Sequence, residues 1–157
     1  MVSIIILQSV VISNLHLRYG SANIMMLVIL AWAIQEKAQK KWAVGLFGAI
    51  LYSLISATSV YVTILTYLII ITITRFIINK LWRMPIFIMI LMSIIGTFLE
   101  HFLSLFSLQF SGTYLPIQES ISLVTLPSVL LNLIISIPVY AIITDITRLA
   151  YPDEEEA

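Results

Sequence analysis

SISLVTLPSVLLNLIISIPVYAIITDITRL, residues 120–149, is an apolar run of membrane-spanning length broken by residues that hydrocarbon does not welcome. Pro127, Asn132 and Pro138 lie inside it, and Asp145 and Arg148 close it. A proline in a spanning helix frees a backbone carbonyl, which a neighbouring helix or hydroxyl must satisfy. A buried Asn132 amide needs a partner for the same reason. The segment is therefore expected to sit inside a helix bundle, with Asn132 satisfied within that bundle.

The rest of the chain reads the same way. Of its 157 residues, 61% are hydrophobic and only 10% charged, far from the balance of a soluble domain, so the chain is read as a polytopic membrane protein. A net charge of zero and the lack of a basic patch speak against nucleic acid as a partner. With no cysteine and two histidines outside any metal-binding motif, no thiolate chemistry, metal site or cofactor is expected. The start of the chain lacks the charged region and small-residue cleavage site of a signal peptide, so its first apolar segment is expected to be retained.

A spanning helix needs about 20 mainly apolar residues. Residues 1–150 are read as one integral-membrane domain of six helices, at about 2–17, 22–35, 42–58, 60–78, 84–110 and 120–149, with an acidic tail at 151–157. In the first, Ser9, Ser13 and His16 share a helical face, a contact stripe toward other helices or, less simply, a proton relay. The second has a short apolar core and either tilts little, lies partly in the interface or thins the bilayer. In the third, Gly45, Ala49, Ser53 and Ala57 recur every four residues and give one face almost without side chain, suited to close helix packing. The fourth is rich in threonine, which in lipid does not argue against helix.

The fifth span carries Ser93, Thr97, Glu100 or His101, and Ser104 along one face. A carboxylate inside a membrane costs at least about 2.5–3.5 kcal/mol, so Glu100 must face protein or water. Counting from Met84 places it about 24 Å along the helix, near the level of His16 and Arg18. The expectation is a polar clasp between the first and fifth spans. A ligand or ion site and a contact to another protein are the alternatives, and Asp145 is free to pair with Arg75 or Arg148.

Six crossings place Lys37, Lys40, Lys41, Arg75, Lys80, Arg83 and Arg148 on one side and Arg18 alone on the other. The positive-inside rule then gives both termini in the cytoplasm. No loop is long enough for a soluble domain, and no nucleotide motif, nucleophile elbow or carboxylate pair occurs, so no enzymatic activity is expected.

The stretch Leu126-Pro127-Ser128-Val129-Leu130-Leu131-Asn132-Leu133, followed by Pro138, resembles the last transmembrane segment of the rod shape-determining MreD family. Gly45-Leu46-Phe47-Gly48-Ala49-Ile50-Leu51 is similar to that family's glycine-bearing span, and Tyr67 and Arg75 fall where its next helix carries Tyr and a terminal Arg. The sequence departs from the family at Asn23, Tyr52, Tyr61 and Ile71. The resemblance implies a six-helix, multi-pass protein of the bacterial cytoplasmic membrane, with a fold like that of the substrate-binding subunits of vitamin transporters. It implies a non-enzymatic scaffold of cell elongation that binds MreC and, through it, MreB and the RodA–penicillin-binding protein 2 synthase. Gly45, Ala49, Ser53 and Ala57, with Pro127, Asn132 and Pro138, are then candidate packing or partner surfaces. His16, Glu100 and His101 are the candidate buried polar residues. The alternative reading is a vitamin-binding transporter subunit, although residues 2–17 lack its AxxxA docking motif and residues 56–59 are short for a lid. An ion or proton carrier using His16, Glu100 and His101 is the third.

Overall fold

Residues 24–34 are apolar on every side, and a helix of that kind is shielded from water by protein or by lipid. The computed structural model of the protein describes residues 6, 16–17, 19–36, 38–56, 58–81, 84–113 and 116–151. In it α1 (Ile24–Ile34) has ten of its eleven residues buried, all but Trp32. Around it pack α2 (Lys41–Ser53), α3 (Val60–Leu81), α4 (Pro85–Phe110) and the last helix. That last helix starts as a single turn, α5 (Ile117–Ser120), passes through a π-helical turn at Ile121–Thr125 and continues as α6 (Leu126–Ala150). The second apolar segment is therefore enclosed by the other helices. It is the central element, covered by protein.

Among the described residues three helices are long and apolar enough to cross a membrane: α3, α4 and the continuous 34-residue run from α5 through α6. α2 stops at Ser53 in a turn instead of running to residue 58, and the last helix begins at Ile117, earlier than its apolar pattern implies. The early stop leaves α2 at 13 residues, about 20 Å.

The chain enters α1 through a hairpin, β1 (His16–Leu17) and β2 (Gly20–Ser21), with His16 opposite Ser21. His16 is thus extended, not the end of a helix. Of the first expected span only Ile6 is otherwise described, in helical conformation, so Ser9 and Ser13 lie outside the described residues, as do Ala57 and the tail at 152–157. Irregular backbone within a membrane domain is tolerated where protein covers it or where it lines a water-filled cavity. Here α6 covers it: a Cβ on Gly20 would stand 2.7 Å from both Pro127 Cβ and the Ser128 amide nitrogen. The π turn just upstream widens the helix where Pro127 can donate no hydrogen bond and crowds the preceding turn.

α1 and α6 run parallel, tied at three levels by residues 107 to 109 positions apart. The Ser21 amide donates to Ser128 Oγ, the Asn23 amide to Asn132 Oδ1, and Gln35 Nε2 to Thr144 Oγ1. On α2, Gly45 and Gly48 make room for the Ile71 and Ile29 side chains, while Ala49 is fully buried. The threonines of α3 satisfy themselves: Thr63, Thr66, Thr72 and Thr74 each donate to the carbonyl four residues back.

One end of the bundle gathers Glu36, Lys40, Lys41, Trp42 and Arg75 around a common groove. Arg75 lies over the Trp42 ring, 5.8 Å from its centre, while Asp145 is exposed on α6. Lys41 Nζ donates to the Ala33 carbonyl in the last turn of α1. Burial and the nearby Arg75 hold that ammonium below the ordinary lysine range, against the opposite pull of Glu36. The hairpin lies toward the other end.

Candidate functional site

The interior polar residues meet at Asn23. As the residue before an apolar helix, Asn23 is placed to cap it, and its Oδ1 accepts the Met26 amide at 2.9 Å. The same Oδ1 accepts the Tyr67 hydroxyl of α3 at 3.2 Å. Its Nδ2 donates to both oxygens of Glu100 on α4, each at 2.8 Å. Its backbone amide donates to Asn132 Oδ1 at 2.8 Å, and Asn132 Nδ2 donates onward to Thr97 Oγ1 at 2.8 Å. α2 joins through Tyr52, whose ring stacks on Tyr67 with centroids 5.8 Å apart and whose hydroxyl reaches Glu100. The Asn23 side chain thus joins α1, α3 and α4, its backbone amide adds α6, and α2 enters through Glu100 and Tyr67. No buried side-chain nitrogen or oxygen among the described residues is left without a partner.

A complete network of this kind is the arrangement that makes buried polarity tolerable, and it fixes which helix faces which. Beside it, toward the hairpin end, lies a cavity of about 320 Å³. Glu100, Tyr52, Ser56, His101, Ser104 and Thr125 are among its polar lining. His101 follows Glu100 in sequence but serves a different contact, with Nδ1 3.0 Å from Thr125 Oγ1 at the π turn. The two titratable neighbours therefore do not act as a pair. Among the described residues no group of three potential ligands is placed to hold a metal ion.

No family model, curated protein or solved structure matches the chain. The site is therefore read from its own geometry.

The structure sorts the residues expected from sequence. Glu100 and Asn132 are buried and joined through Asn23, while the clasp expected with the first span falls on residues outside the described ones. Asn132 is satisfied inside the bundle. Gly45 and Ala49 face inward, so that part of the small-residue face packs α2 onto α1 and α3 and is closed to an outside helix. Ser53 is half-buried and donates to the Ile50 carbonyl. Pro127 is buried under Gly20, whereas Pro138 is exposed on α6.

Sequence reasoning gave no site role to Asn23, Tyr52 or Tyr67. A signal existed for each. An Asn immediately before an uninterrupted apolar run is a cap signature, and a tyrosine hydroxyl in an apolar interior needs a partner.

Proposed function

We propose that this protein is a non-enzymatic scaffold of the bacterial cell-elongation machinery, of the rod shape-determining MreD type. In this reading it crosses the cytoplasmic membrane six times with both termini inside, its basic end facing the cytoplasm. It binds an MreC-like bitopic protein and through it supports MreB and the RodA–penicillin-binding protein 2 synthase in lateral wall growth.

One observation carries the reading. Six of the residues behind the resemblance lie in the bundle's interior, while Pro138 and Arg75 are exposed. Pro127 and Ser128 seat the hairpin, Asn132 and Tyr67 both bond Asn23, and Gly45 and Gly48 admit α1 and α3 side chains. Each of these positions serves the packing of the bundle, which is what a scaffold of this type requires. The chain outside this core offers broad apolar helix faces and short connections, a surface suited to partner helices.

Affinity purification of the full chain in mild detergent tests the proposal. Recovery of a single-span coiled-coil protein, together with rounding of rod-shaped cells on depletion, is expected. Recovery of the ATPase subunits of a transporter, with cell shape unchanged, overturns it.

A further inference from the structure

The cavity beside Glu100 carries chemistry that helix packing does not consume. Among the described residues its lining contains one acidic side chain, Glu100, one imidazole, His101, and no lysine or arginine. The partners of that carboxylate are neutral, the Asn23 amide and the Tyr52 hydroxyl. A carboxylate offers about four acceptor positions, and the two Asn23 bonds leave others for a further donor. Hydroxyls of Ser56, Ser104 and Thr125 add further acceptors, and Leu105, Leu108 and Val124 give the cavity an apolar part. A phosphate or carboxylate placed here would face Glu100 across a poorly screened interior. A cation with N–H donors meets the opposite field.

We infer that this cavity binds a small organic ammonium ion, its N–H groups on Glu100 and the flanking hydroxyls and its hydrocarbon against Leu105, Leu108 and Val124. At about 320 Å³ the space lies at the small end of ligand pockets. The inference rests on the cavity alone and is independent of the scaffold reading.

Calorimetric titration of the full chain in lipid nanodiscs tests it, with benzylammonium and benzyl alcohol as probes and the heat of empty discs subtracted. Benzylammonium is expected to bind saturably, one per chain, at least tenfold more tightly than the alcohol. Glu100→Gln should erase that preference. Ser104→Leu, which fills the cavity without touching the carboxylate, should weaken benzylammonium at least tenfold, and it decides the matter if the Glu100 variant does not fold. Equal binding of the two probes, no saturable binding, or a Ser104→Leu chain that binds like the wild type each overturns the inference.

Discussion

At the scale of the residue, Asn23 concentrates more of this fold than any other described side chain. Asn23→Ala removes a helix cap, worth about 1 kcal/mol, and a donor to a buried carboxylate, worth about 1.5–3 kcal/mol. A loss of about 2–4 kcal/mol is expected in SDS-titration unfolding of the purified chain. Asn23→Asp is a sharper probe. It keeps the capping oxygen but sets a second carboxylate against Glu100, so it should destabilise more than Asn23→Ala. Adding Glu100→Gln to Asn23→Asp restores a donor–acceptor pair and should recover more than half of the loss; a double variant no better than Asn23→Asp alone refutes the direct contact. The need for partners was legible at Glu100 and Asn132, because intramembrane polarity announces itself. The partner was not, since a hydrogen bond between residues 77 positions apart leaves no local pattern.

Among the elements, glycine separates contacts that can yield from contacts that cannot. An added methyl at Gly20 meets Ser128 backbone and the Pro127 ring at 2.7 Å, whereas at Gly48 it meets the flexible tip of Ile29 at 2.5 Å. Gly20→Ala should therefore cost more stability than Gly48→Ala, by about 1 kcal/mol or more in the same unfolding assay. Gly112 differs again. With φ at +83° and nothing within 4 Å, it closes α4 in a Schellman turn, Thr113 N–H bonding the Leu108 carbonyl and Gly112 N–H that of Gln109. Gly112→Ala is expected to cost about 1 kcal/mol through backbone strain alone. The long helices were legible because length and apolarity suffice to name them. The role of α1 was not, because its short run fits an interfacial, a thinned or a fully enclosed helix equally well until its neighbours are known.

For the whole molecule, the asymmetry of charge yields an accessibility test. The chain has no cysteine, so single cysteines introduced at exposed Gln39 and Thr113 report cleanly. If the basic end faces the cytoplasm, a membrane-impermeant maleimide should label Thr113→Cys in intact cells and Gln39→Cys only after permeabilisation. Labelling of Gln39→Cys in intact cells contradicts the proposed orientation. The grouping of Lys40, Lys41 and Arg75 at one end follows from alternating chain direction and was readable from loop composition.

The enclosure of α1 bears on how the chain is made. At about 16 Å the helix is too short to hold a place across about 30 Å of hydrocarbon unaided. Its parallel neighbour α6 is the last described helix to leave the ribosome, and the hairpin before α1 rests on Pro127 and Ser128 of that late segment. During synthesis the earliest described helix therefore waits for the latest to complete its socket. Without residues 117–150, α2, α3 and α4 surround a core helix with one side open.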